Sequence, residues 1–259
     1  MIRGMKFLIV LGVVMFTSCH SKIKERSEEI YSRHLQKHIT LTIISTPPPS
    51  NKSDFNLLLL NNGFDQDVTR KITDSLYRKK DIKALLIVAI KPFNPQQEFG
   101  VAGVTDGKNN GSLASKYSAF IVNELLPYIK KKTAVRTFKS ITIAGVGVGG
   151  ISAFDIAWDN WQKFDKVGLL QDFSDAGRRT DFSVIINKIA KSRKKPKLQF
   201  WIEEDKGQNE LNKQDSSGIN NLIETLRIKN VDQSSVNIQT PLNSHQSIID
   251  FLLWLNKGN

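Results

Sequence analysis

Four glycines fall within the six residues Gly145-Val146-Gly147-Val148-Gly149-Gly150, between an apolar run at 140–144 (SITIA) and a helical pattern that opens at Ile151. Residues without a Cβ tolerate positive φ and close backbone contact, so this composition suits a chain that leaves a strand and enters a helix in one tight turn. A strand that runs straight into a helix needs a crossover to reach its next partner, and crossovers build parallel sheet. The segment therefore points to an α/β fold before anything else is read.

The rest of the chain keeps the same alternation. Residues 38–45 (HITLTIIS), 56–61 (NLLLLN), 84–90 (ALLIVAI), 166–171 (KVGLLQ), 198–203 (LQFWIE) and 236–240 are expected strands. Unbroken apolar runs such as NLLLLN are the mark of strands buried on both faces. Helical patterns fall between them at 69–79, 113–131, 151–158, 182–190, 219–227 and 248–255. The helix over 113–131 places Tyr117, Phe120, Ile121, Leu125 and Ile129 on one side, and Pro127 is expected to kink it. Residues 94–110, rich in Gly, Asn, Gln and Pro, read as a long loop, and loops of that length are often functional. The fold class is α/β, a mainly parallel central sheet with helices on both faces. No internal repeat or second-domain boundary is visible, and 259 residues with 40% hydrophobic content suit one such domain.

In order and content these segments resemble the esterase D and enterochelin-esterase-like group of the α/β-hydrolase fold, over Leu57 to Leu255. LLLLNNGF at 57–64 is similar to the family strand and turn that lend a backbone N–H to the oxyanion hole, with Asn62 where the family has Asp. ELLPYI at 124–129 is the most specific piece and matches the helix before the nucleophile elbow. IAGVGVGGISA at 143–153 resembles the elbow itself, G-x-S-x-G, with Gly147 in the serine's slot. The resemblance implies oxyanion-hole N–H groups at Phe64 and Val148. It implies a histidine at His245, between the last strand and the last helix. The acid is implied just after the 198–203 strand, where Gln208 aligns best and Asp205 or Glu210 substitutes with a small shift. Glu98 matches a family position near the substrate, and Pro95 stands where the arginine would align.

The N-terminus reads as a targeting segment. Arg3 and Lys6 precede the apolar run Phe7 to Phe16, and Phe16-Thr17-Ser18-Cys19 resembles a bacterial lipoprotein signal, with cleavage before Cys19 and lipid on its sulfur. The expected layout is a signal peptide at 1–18, a polar tether at 19–38 and the hydrolase-like domain at 39–259. Localisation is then the cell envelope, membrane-anchored through Cys19. As the chain's one cysteine, Cys19 excludes an internal disulfide and a thiolate metal cluster. His20, His34 and His38 lie in the N-terminal segment without a zinc-binding H-E-x-x-H, so no metal and no cofactor is expected. The formal charge is +12, with basic clusters at Lys130-Lys131-Lys132, Arg178-Arg179 and Lys191 to Lys197. Such a surface suits solubility, anionic headgroups or acidic glycans. A nucleic-acid partner is not expected, because no aromatic and basic residues interleave.

Glycine cannot attack a carbonyl, so the resemblance implies a catalytically impaired hydrolase-like lipoprotein that binds a small ester, a glycan or a protein ligand. Two other readings stay open at this level. One is an active ester hydrolase in which His245, with Asp205 or Glu210, activates water. The other is a dinucleotide-binding protein, because Gly145, Gly147 and Gly150 satisfy G-x-G-x-x-G after a strand.

Overall fold

The structure is a computed structural model that describes residues 23–61, 63–106, 108–170, 182–204, 210–232 and 235–257. Eight strands form one sheet: β1 Lys24–Ser32, β2 Lys37–Ser45, β3 Asn56–Asn61, β4 Leu85–Lys91, β5 Ser140–Val146, β6 Lys166–Leu170, β7 Gln199–Glu203 and β8 Val236–Gln239. They pair in the order β1-β2-β4-β3-β5-β6-β7-β8. All pairings from β4 to β8 are parallel, while β2 runs antiparallel to both β1 and β4. Central β3 is buried at every residue, and its leucines alternate between two cores. Leu57 and Leu59 join the larger cluster with Tyr117, Phe154 and Leu222. Leu58 and Leu60 join the second, with Ile72, Phe251 and Leu255. The two-residue repeat of a strand thus divides one apolar run between helices on opposite faces.

The helices are α1 Gln66–Arg78, α2 Pro95–Glu98, α3 Ala114–Phe120, α4 Leu126–Thr133, α5 Val148–Asp159, α6 Ser183–Lys191, α7 Glu210–Ile228 and α8 Ser244–Asn256. The helix expected over 113–131 is divided, for a π turn at Ile121–Leu125 links α3 to α4. Leu126 N–H reaches back to Ile121 O, directly before Pro127, whose ring nitrogen has no hydrogen to offer. The perturbation expected from Pro127 is therefore a widened turn.

One expectation is corrected. Residues 24–32, read from their charge as part of a tether, form edge strand β1, so the fold begins before residue 39. Burial shows the reason: eight of the nine residues stay exposed or half-buried, as befits an edge strand that charge protects from further pairing. Glu28 fixes it to the body. It accepts from Tyr128 Oη at 2.6 Å and lies 3.5 Å from Lys132 Nζ. His34 sits in the turn before β2 and His38 within β2.

Lys166 opens β6 with its side chain buried. Its Nζ donates to the carbonyls of Trp254, Leu255 and Lys257 at 3.4, 3.2 and 2.8 Å, covering acceptors that the end of α8 leaves without partners. Burial lowers its pKa to about 8, with Asp165 pulling weakly the other way. An unfolded lysine titrates near its ordinary 10.5, so between these values the unfolded chain binds more protons and stability rises with pH. The urea midpoint of the native chain is accordingly expected to climb from pH 8 to 10.5 more steeply than that of Lys166→Met. Parallel curves would show that Lys166 carries no such linkage.

Candidate functional site at the glycine turn

The carboxyl ends of β3 and β5 lie side by side, with Asn61 opposite Gly145. α5 starts two residues beyond β5 and packs its first turn onto this junction. A Cβ on Gly145 would sit 2.4 Å from the carbonyl carbon and oxygen of Gly149 and 2.7 Å from Asn61 O, so only glycine permits the approach. Asn61, wholly buried, bridges the strand to the helix. Its Nδ2 donates to Gly149 O at 3.4 Å, and its Oδ1 accepts from Tyr117 Oη at 2.8 Å. Burial, then the negative charge of Glu98, pushes the Tyr117 hydroxyl well above its ordinary pKa, so it stays a donor.

Gly147 joins strand to helix with φ 56° and ψ −124°. This is the first central position of a type II′ turn, where L side chains are strained. Its own N–H donates to Leu170 O at 3.1 Å, and its carbonyl accepts from Gly150 and Ile151. Val148 N–H is the first of α5 and Phe64 N–H lies in the turn after β3. Neither has a backbone acceptor among the described residues. Asn62, between Asn61 and Gly63, lies outside the described residues.

A cleft of about 400 Å³ opens beside Val148 and Ile151. Its far wall is the 94–113 segment, through Phe99, Val101 and Val104, with Gln96, Asp106 and Asn110 as the polar members. This expected loop is more ordered than its composition implies. Asn94 caps α2 by accepting from the N–H groups of Gln96 and Gln97. Glu98, wholly buried, accepts from Phe93 and Asn94 N–H, and pairs with Lys37 Nζ at 3.0 Å. Below the cleft, Asp155 of α5 takes Ala102 N–H at 2.9 Å and pairs with Lys188 of α6. Lys188 also holds Asp159 at 2.6 Å. One polar network thus ties the cleft's outer wall to two helices beneath it.

Of the histidine and acid candidates named from sequence, His245 has its side chain among the described residues. His245 is exposed, on the second residue of α8, with no hydrogen-bond or ion-pair partner among the described residues. Cys19, Asp205 and Gln208 lie outside the described residues, and Glu210 begins α7 with its side chain undescribed. The buried acid at the end of β7 is Glu203, which sequence reasoning missed. Ser247 Oγ reaches its two oxygens at 2.7 and 2.9 Å, and Trp201 Nε1 donates to Oε1 at 2.9 Å. Residues 245 and 247 stand about 200° apart around a helix, so the face that turns Ser247 inward turns His245 outward. Spacing gave no hint of this; the clue was a charged residue closing an apolar strand two positions after Trp201. Among the described residues, no three His, Cys, Asp or Glu side chains are grouped to hold a metal ion.

Known proteins share this architecture. The enterobactin esterase of Shigella flexneri superposes with a TM-score of 0.64 at 14% identity, over 89% of this chain and 59% of that one. This chain therefore spans about three-fifths of that enzyme's length. A ferulic acid esterase gives 0.65 at 15% identity, over 91% and 98% of the two chains. An IroE-like serine hydrolase from Shewanella oneidensis gives 0.65 at 16%, over 90% and 78%. At such identities the likeness speaks for the fold. The family model described as Putative esterase matches residues 32–236, most of the sheet and both sides of the glycine turn, and the chain belongs to that esterase family of α/β-hydrolase fold.

Proposed function

We propose that this chain is a cell-envelope member of the esterase family, lipid-anchored at Cys19, that binds a ligand in the cleft beside Gly147 and does not hydrolyse it. The observation that carries this reading is the backbone at Gly147. It holds the strained turn in which the family's elbow presents a serine hydroxyl, and here offers no side chain. Without a nucleophile there is no acyl-enzyme. The engagement of Glu203 by Ser247 and Trp201 is in keeping with this reading, since that carboxylate already accepts from two buried donors. What persists is binding equipment. The N–H groups of Val148 and Phe64 suit a carbonyl or carboxylate oxygen. The apolar walls at Phe99, Val101 and Ile151 suit a small acyl or aryl group.

The test compares the native chain with Gly147→Ser. The native chain is expected to stay unlabelled by a fluorophosphonate probe while showing a thermal shift with methyl ferulate, chosen for the aromatic acid in one relative's name. Gly147→Ser is expected to gain no turnover, and to lose about 1–3 kcal/mol of stability because a Cβ is forced into positive φ. Covalent labelling of the native chain would overturn the reading. Esterase turnover in Gly147→Ser would show that base and acid still converge on the turn.

A further inference from the structure

The two ends of the sheet carry very different charge. Where the parallel strands begin, residues 78–83 (RKKDIK) hold four basic side chains and one acid. Residues 130–139 (KKKTAVRTFK) hold five basic side chains and no acid, as do residues 191–197 (KSRKKPK). Where the strands finish, the described turns and loops with the short α2 hold Arg33 and Lys108 against Asp65, Glu98, Asp106 and Glu204. Lysines in the last turn of a helix answer the negative end of its dipole, and Lys130–Lys132 and Lys191 are so placed. That account does not reach Arg136, Lys139, Lys195 and Lys197, which lie beyond the helix ends, where the dipole has faded. Lys131, Arg136, Lys139, Lys191, Lys195 and Lys197 are exposed, and none pairs with an acid among the described residues.

The chain enters the fold at this same end. Lys24 at the start of β1 lies opposite Ser45, and Ser45 opposite Leu86 near the start of β4. Cys19 is five residues before Lys24, a stretch that reaches at most about 17 Å whatever its path. The basic segments feed β4, β5 and β7, and across the intervening strands they spread over about 19 Å. That is a broad face, suited to a planar anionic surface more than to one polymer strand.

We propose that the end of the sheet where the parallel strands begin is a docking face for anionic lipid headgroups, and that it holds the cleft at the opposite end turned away from the bilayer. The orientation rests on the reading of Cys19 as the anchor; the affinity of the face for lipid does not. Each basic side chain within a Debye length of an anionic membrane raises binding about fivefold, so a few acting together give measurable attachment without an acyl chain.

The chain from His20 onward contains every described strand and helix and carries no lipid. It is mixed with vesicles of one part phosphatidylglycerol to two parts phosphatidylcholine, or of phosphatidylcholine alone, and sedimented. Binding to the anionic vesicles is expected to be roughly tenfold stronger or more, and to vanish in half-molar sodium chloride. The triple variant Lys139→Glu, Lys195→Glu, Lys197→Glu is expected to lose most of it, and Lys108→Glu, at the other end, to keep it. Equal binding to both vesicles, a triple variant that binds like the native chain, or an equal loss in Lys108→Glu would overturn the proposal. So would binding to a sulfated polysaccharide with none to vesicles. Lipid-precursor labelling of the full chain is scored separately. If it is absent, the anchor and the orientation fall, while the vesicle result still decides the face.

Discussion

Asp155→Ala is expected to lower the free energy of unfolding by about 3–5 kcal/mol, toward the lower figure because Asp159 still accompanies Lys188 after the change. Asp155 is an acid within an otherwise apolar stretch of α5, and its carboxylate is almost wholly buried. Burial raises its pKa, and Lys188 with the Ala102 N–H only partly reverse that. For Lys188 burial acts downward, but Asp155 and Asp159 together outweigh it and the net shift is upward. The signs fix the pH window. A lysine with a raised folded pKa contributes stability that is whole below its unfolded value, near 10.5, and is lost as pH rises through the folded value. The gap between native chain and Asp155→Ala, measured by urea unfolding, should therefore shrink above pH 10.5, whereas at acid pH the raised pKa of Asp155 means that protonating its carboxyl does not narrow it. The loss should reach the cleft as well, because Ala102 N–H is left without its acceptor next to Val101 of the cleft wall. Asp155→Asn, which keeps an oxygen for Ala102, is expected to retain ligand binding better than Asp155→Ala at similar cost in stability. Equal binding in all three chains would show that the wall stands without this network.

Sequence and structure agree where the signal is local and repetitive. NLLLLN, ALLIVAI and SITIA announced themselves as central strands because both faces of each had to be apolar. The glycine turn was legible because backbone approach and positive φ leave glycine as the ready solution at Gly145 and Gly147. β1 was not legible: an edge strand with water on one side has no need of apolar residues, and its charged sequence reads as a spacer. The order within residues 94–113 was hidden for a related reason. It is built from Glu98, Asp155 and Lys37, which come from three parts of the chain, and no local pattern links them. At the site, Glu203 went unread because position in an alignment does not give the direction a side chain takes. His245 and Ser247 are two residues apart, and the helix sends one to water and the other to Glu203.

Glu203→Ala is expected to cost about 2–4 kcal/mol, and this change separates a strut from a catalytic acid. Glu203, Trp201 and Ser247 are each no more than 3% exposed. Removing the carboxylate strands the Ser247 hydroxyl and the Trp201 indole N–H, and a buried donor without an acceptor loses about 1–3 kcal/mol. The small void left behind adds to this. Trp201 stacks edge-on against Phe251 and packs on Trp254, so the loss should propagate to the seating of α8 on the sheet. Glu203→Gln keeps an acceptor for one donor and should lose about half as much in urea unfolding. A strut of this kind, which does not line the cleft, leaves ligand affinity there unchanged so long as the variant is folded. A carboxylate serving a histidine would behave otherwise: its removal would abolish any hydrolysis while sparing most of the stability. Hydrolysis that disappears in Glu203→Gln with the unfolding midpoint unmoved would therefore return Glu203 to the catalytic machinery, and with it the esterase activity that Gly147 argues against.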